Sequence, residues 1–312
     1  IRNFTRLCEQ HSARQIITML NQLLTRLSQV VDNHQGVIDK YIGDAVMAIF
    51  GVPVNDEAQE QNAVLAALAM QKELLMINRE LAKKQLPEIG LGVGINSATV
   101  VAGNMGSETR LNYTVIGDGV NLSSRLESLT KYYRLPVLVS ENTMKQCADI
   151  FFQEIDTVRV KGKAQGLTIY QPLGIRASVS DEAQQRAAMF HRALGLYKKQ
   201  QWQAALALFT QLTIEFPSVY CYQIYQQRVT ERLSLDYDNE WDGEYDVWHG
   251  PFMWQSNKEW FKALQRKHIP NDILYLRKNT TLEELTQYDI LVYPHPAIMR
   301  DETASLLDDY VQ

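Results

Sequence analysis

Gly36-Val37-Ile38-Asp39-Lys40-Tyr41-Ile42-Gly43-Asp44-Ala45-Val46-Met47-Ala48-Ile49-Phe50 reads as two strands folded back on each other. The runs on either side of Gly43-Asp44 are rich in the side chains that favour a pleated surface. Glycine followed by aspartate tolerates the positive φ of a two-residue turn, so the pattern predicts a hairpin with Asp44 at its exposed tip. Upstream, Ile16, Ile17, Leu20, Leu23, Leu24, Leu27, Val30 and Val31 recur at three- and four-residue steps, which predicts a helix over about 9–33. Downstream, a long helix over about 56–84 ends at Leu86-Pro87 and is followed by strands over 90–95 and 99–102. Tyr113-Thr114-Val115-Ile116 is a further strand, broken by Gly117-Asp118-Gly119, where Asp118 is placed to cap a helix running through Arg125 to about Thr130. Gly90, Gly92 and Gly94 do not form a dinucleotide fingerprint and are read as a bent strand. This order predicts an α+β fold in which helices pack on one face of a largely antiparallel sheet, with a ferredoxin-like core.

The pattern changes near residues 177–181. Two amphipathic helices are expected over about 181–199 and 203–216, stopped by Pro217; Ala193, Tyr197, Trp202, Ala205, Leu206 and Phe209 have a spacing that resembles one tetratricopeptide unit. A single unit cannot bury its own apolar face, so it must dock on something. From about residue 246 onward the chain looks like a partial α/β segment whose best strand is Asp289-Ile290-Leu291-Val292-Tyr293-Pro294, resembling flavodoxin-like and glutamine-amidotransferase-like domains. The expected organisation is therefore 1–175, a helical hairpin at 181–232, and 246–312.

Composition narrows the function classes. With 46% hydrophobic and 21% charged residues and a net charge of -5, the chain is ordinary globular protein, and the lack of a basic tract argues against a nucleic-acid groove. An anionic substrate would need local positive charge or metal. The longest apolar run, Ala63 to Met70, is too short to cross a bilayer. Cys8, Cys147 and Cys221 have neither disulfide nor zinc spacing, which fits a reducing cytoplasm. The abrupt ends at Ile1 and Gln312 read as those of a fragment.

Four patterns stand in register: Ile1-Arg2-Asn3-Phe4-Thr5-Arg6-Leu7, the hairpin Lys40 to Gly51, Tyr113-Thr114-Val115-Ile116-Gly117-Asp118-Gly119-Val120-Asn121-Leu122-Ser123-Ser124-Arg125-Leu126-Glu127, and Val160-Lys161-Gly162-Lys163. In this order and at these distances they resemble class III nucleotide cyclases over about residues 1–172. The resemblance implies attack of a ribose 3′-hydroxyl on an α-phosphate, with two divalent ions, Mg²⁺ or Mn²⁺, per site. It implies Asp44 as a metal ligand, and Ile1 through its backbone carbonyl; the family's other metal aspartate would precede Ile1, so residues 1–312 alone are expected to be nearly inactive. Phe4 and Thr5 open a helix whose amides can face phosphate. Asn121 and Arg125, four apart on one helix face, are implied to orient the ribose and to stabilise charge on the α-phosphate. Lys161, with Lys163 as a weaker substitute, is implied to hold the terminal phosphates.

Lys40 and Thr114 match the family's base-reading pair. Lys40 would donate to purine N1 and Thr114 accept from the N6 amine, which points to ATP; guanylate cyclases carry a glutamate and a small residue at these places. The family assembles its sites from two chains, so a head-to-tail homodimer is implied, with an upstream sensor domain on the same protein and a cytoplasmic location, tethered or not to a membrane. Two other readings remain: a cyclase-like dimerisation module without turnover, and a guanylate cyclase. Taken singly, Asp44 is also a plain turn residue, Arg125 a solvated helix position, Lys161 a surface turn and Thr114 a packing residue.

Overall fold

Ser12 starts the main helix by accepting a hydrogen bond from the Gln15 amide while the Gln15 side chain reaches back to the Ser12 backbone, a reciprocal cap that satisfies two otherwise open amides. In the computed structural model, which describes residues 1–107, 109–159, 166–233, 241, 243, 245 and 246, this cap starts the helix predicted over 9–33 at residue 13, as α2 (Ala13–Asn33), after a separate short helix α1 (Phe4–Gln10). Next come β1 (Val37–Ile42) and β2 (Ala45–Ile49), then α3 (Gln59–Lys83), β3 (Val93–Ile95), β4 (Val101–Ser107), β5 (Arg110–Ile116) and α4 (Asp118–Tyr133). They are followed by β6 (Val137–Ser140), α5 (Glu141–Lys145), β7 (Ile150–Arg159) and β8 (Leu167–Ile175). Helices α6 (Asp181–Lys198), α7 (Trp202–Glu215) and α8 (Tyr220–Arg232) precede a two-residue strand β9 (Tyr245–Asp246).

The chain divides into two compact units. Ile1–Asp156 with Thr168–Gly243 form the first, and Thr157–Leu167 with Glu244–Gln312 the second. Within the second, Val158 pairs with Tyr245 and Arg159 with Asp246 in parallel register; the segment expected at 246–312, its strand at Asp289–Pro294 included, lies outside the described residues beyond Asp246.

In the first unit, strands follow the order β3-β6-β8-β7, with β3 parallel to β6 and β6 antiparallel to β8. Two antiparallel hairpins, β1–β2 and β4–β5, stand apart from this sheet in their hydrogen bonding. The largely antiparallel sheet expected from sequence is thus a mixed sheet with separate hairpins. The reason is the long connection from β3 to β6: it carries α4, and such a crossover returns the chain parallel to where it left. Two core clusters frame the α2–α3 and α3–sheet contacts. Leu7, Ile16, Met19, Leu23 and Leu27 meet Leu74, Ile77 and Leu81 of α3; farther along α3, Val64 and Ala67 cover Val137, Val139 and Ile150.

Gly94 decides where α4 lies. A Cβ there would sit 2.2 Å from the Glu127 backbone nitrogen and 2.4 Å from the Ser123 carbonyl oxygen. Rather than marking a bend, this glycine lets helix backbone rest directly on the strand. Gly94→Ala must lift α4 away, at roughly 1–3 kcal/mol for overpacking, so the melting temperature should fall by roughly 2–12 °C. An unchanged thermal melt would contradict so close an approach.

Helices α6 and α7 match the two amphipathic helices expected; α8 is a third that the pattern did not announce. Phe190, Phe209 and Tyr225 pack ring against ring across the three, with Phe209 and Tyr225 stacked at 4.9 Å. The expected docking occurs through α8, and its centre is polar. Arg228, 4% exposed, donates to Asp156 of β7, 0% exposed, at 2.5 Å. The Tyr133 hydroxyl donates to the same carboxylate oxygen at 2.6 Å, and the Tyr225 hydroxyl donates to the Ile155 carbonyl at 2.8 Å. Among the described residues no helix is long and apolar enough to cross a membrane.

Candidate active site

The β1–β2 turn closes between Ile42 and Ala45, with Gly43 at φ 62°, a left-handed conformation that glycine adopts without steric penalty. Asp44 therefore stands at the tip as the sequence predicts, its side chain 29% exposed. The backbone nitrogen of Ile1 lies 2.9 Å from Asp44 Oδ2. The backbone of residue 1 thus reaches the tip of the hairpin. Arg2 holds it there: its backbone amide donates to the Gly90 carbonyl at 2.8 Å, and its Nη2 donates to the carbonyls of Thr130 (2.9 Å) and Leu135 (2.8 Å). Arg2 was not anticipated; a guanidinium used to tie backbone carbonyls leaves no mark in the local pattern.

Phe4 packs against the α2–α3 core cluster, while Thr5 is exposed in the first turn of α1. At α4, Gly117 and not Asp118 occupies the cap; Asp118 is the first helical residue, where negative charge complements the open amide end. Leu122, Leu126, Leu129 and Tyr133 bury the inner face of α4. Asn121 is exposed and Arg125 half-buried, and neither has a hydrogen-bond or ion-pair partner among the described residues. Lys161 and Lys163 lie outside the described residues.

Lys40 and Thr114, 74 positions apart, do meet: Lys40 Nζ donates to Thr114 Oγ1 at 3.1 Å. The β4–β5 hairpin makes this possible. Its register runs from Val101 opposite Ile116 to Ser107 opposite Arg110, with Thr114 facing Gly103. Strand β4 extends well past the predicted 99–102 because long-range pairing overrides the poor strand preference of Gly103, Asn104 and Gly106. Sequence reasoning missed a third member. Asp39, with a side chain 0% exposed, accepts from the Thr114 hydroxyl at 2.6 Å and lies 3.6 Å from Lys40 Nζ. No local signal marked it, because alternation along a strand would send Asp39 and Lys40 to opposite faces.

The donor set suits a hard divalent cation. Asp44 would offer a carboxylate at the hairpin tip, and Ile1, whose backbone nitrogen lies 2.9 Å from it, would add its backbone carbonyl. No cluster of three or more histidine, cysteine, aspartate or glutamate side chains that could hold a metal occurs among the described residues. One carboxylate plus a carbonyl, completed by water and phosphate oxygens, fits Mg²⁺ better than a soft metal.

Residues 1–172 match the family described as the adenylate and guanylate cyclase catalytic domain. The chain is 35% identical over 181 residues to Adenylate cyclase 1 of Rhizobium meliloti (strain 1021), covering 58% of this chain and 27% of that protein. It is 39% identical over 179 residues to the adenylate cyclase of Anabaena cylindrica, covering 55% and 35%. It therefore spans about a quarter to a third of the length of these relatives. Among solved structures, the adenylyl cyclase CyaB from P. aeruginosa is similar with a TM-score of 0.54 and 32% identity, over 57% of this chain and 92% of that one.

Proposed function

This chain belongs to the adenylate and guanylate cyclase catalytic-domain family, and we propose that it is an adenylate cyclase that converts ATP to 3′,5′-cyclic AMP and pyrophosphate in signal transduction. The family spans both bases, so the backbone fold does not select between them. The observation that carries the adenylate reading is the 3.1 Å contact between Lys40 Nζ and Thr114 Oγ1, which puts an ammonium donor beside a hydroxyl acceptor. Adenine N1 and N6 match that pair, and the relatives at 35% and 39% identity are both named adenylate cyclases.

In the reaction the ribose 3′-oxygen bonds to the α-phosphorus as the bond to the bridging pyrophosphate oxygen breaks. Asn121 orients the ribose, and Arg125 neutralises charge that grows on the α-phosphate. Lys161 holds the terminal phosphates, and the amides of Phe4 and Thr5 face phosphate oxygens. Asp44 and the Ile1 carbonyl would hold Mg²⁺ or Mn²⁺. When bound, two such ions per site would activate the 3′-hydroxyl and neutralise the leaving charge.

The site is completed by a second copy in a head-to-tail homodimer. Tyr41 and Ile42 on one hairpin and Leu111, Tyr113 and Ile116 on the other are exposed, apolar side chains that a partner would cover. We read residues 1–175 as the catalytic domain with a ferredoxin-like core and 181–232 as a tetratricopeptide-like appendage, working in the cytoplasm under an upstream sensor.

Assays of the whole protein with ATP and GTP side by side, in Mg²⁺ and in Mn²⁺, test the base assignment. Guanine would leave its N1-H and N2 amine without acceptors at roughly 1–3 kcal/mol each, so ATP should lead by about tenfold or more. The double variant Lys40→Glu with Thr114→Cys should erode that lead even if total activity falls. Equal use of the two nucleotides by the unmodified protein would sink the adenylate assignment.

A further inference from the structure

A β-bulge lies beside the base-reading pair. Ile38 pairs with Ala48 and Lys40 with Met47, so Asp39 is the extra residue on β1. In an unbroken strand Asp39 and Lys40 would project to opposite faces; a bulge re-aims side chains. Here both reach one hydroxyl. Thr114 Oγ1 stands 2.6 Å from Asp39 Oδ2 and 3.1 Å from Lys40 Nζ.

The direction of these two bonds is forced by chemistry. A carboxylate has no hydrogen to offer and an ammonium has no acceptor, so the hydroxyl must donate to Asp39 and accept from Lys40. The distance of 2.6 Å falls in the range of charge-assisted O–H···O⁻ bonds. A threonine hydroxyl has one hydrogen and two lone pairs. Once the hydrogen is committed to Asp39, a single lone pair remains, and the hydroxyl can only accept. Asp39 itself is not tied down elsewhere: its side chain is fully buried, and Oδ1 has no hydrogen-bond partner among the described residues. Thr114 is 6% exposed, so water competes poorly for its hydrogen.

We propose that Asp39 is a specificity-determining positioning residue, which holds the Thr114 hydroxyl as an obligate acceptor so that the site takes the N6 amine of adenine and turns away the O6 carbonyl of guanine. A free hydroxyl could rotate to serve either group, and threonine alone would then discriminate weakly. The inference rests on Lys40 and Thr114 facing the base, as proposed above.

The test measures kcat/KM for ATP and GTP in the whole protein bearing Asp39→Asn, Thr114→Val, or both. Asparagine can donate to Oγ1 and release its hydrogen, so D39N should narrow the ATP:GTP ratio by about tenfold, largely through a lower KM for GTP. In the Thr114→Val background, with no hydroxyl to hold, D39N should leave the ratio where it is. If D39N does not fold, Asp39→Ser removes the carboxylate in the same comparison. Equal losses for both nucleotides, or the same change in ratio with valine at 114, would overturn the role of Asp39 while leaving the adenylate reading in place. A wild-type protein indifferent to the base would remove both together.

Discussion

In the whole protein, Asp44→Ala and Arg125→Ala should each lower cyclic AMP formation by about 10²–10³-fold or more, and the two inactive proteins, mixed, should regain about a quarter of wild-type activity. The first change removes the carboxylate at the hairpin tip, the proposed metal ligand. The second removes a guanidinium that has no partner among the described residues and stands one turn from Asn121 on α4. If each site takes Asp44 from one copy and Arg125 from the other, half of the dimers formed at random pair the two variants, and one of their two sites contains neither change. That arithmetic gives the quarter. Cyclase assays on the separate and mixed proteins, with dimerisation checked by light scattering, provide the comparison. No recovery in confirmed mixed dimers would mean that each chain houses a complete site.

Arg228→Ala should destabilise the fold by about 3–5 kcal/mol. It removes the guanidinium that donates to the Asp156 carboxylate at 0% exposure, while the Tyr133 hydroxyl still donates to the same oxygen. The paired replacement Arg228→Met with Asp156→Leu should be far milder, since well-packed apolar residues can replace a buried ion pair at little net cost. Urea denaturation of the single and double variants separates these outcomes; equal midpoints for Arg228→Ala and the wild type would show that the pair contributes nothing. The effect has a functional side. Tyr133 ends the helix whose first turns carry Asn121 and Arg125, so loosening α8 should also reduce turnover.

The motif residues were legible because each depends on near neighbours. Gly43 at φ 62° and the short turn put Asp44 at a tip, and a four-residue step puts Asn121 and Arg125 on one helix face. Helix α4 was legible for the same reason, although its cap fell on Gly117, one residue earlier than expected. The division between α1 and α2 could also have been found, because Ser12 and Gln15 form a recognisable S-x-x-Q cap. Asp39 was not legible. Its bulge arises from how β1 pairs with β2, and a bulge reverses the alternation on which a strand reading depends.

By itself, then, the sequence determined the hairpin tip, the helix faces and the cyclase family, because turn chemistry and 3.6-residue periodicity act over a few residues. Tertiary structure alone decided the rest. It brought Thr114 to Lys40 across 74 positions, seated α4 on Gly94, and sent Arg228 to a carboxylate 72 residues away. Such contacts depend on which surfaces meet once the chain has collapsed, and their hydrogen bonds form between residues whose separation along the chain carries no periodic trace.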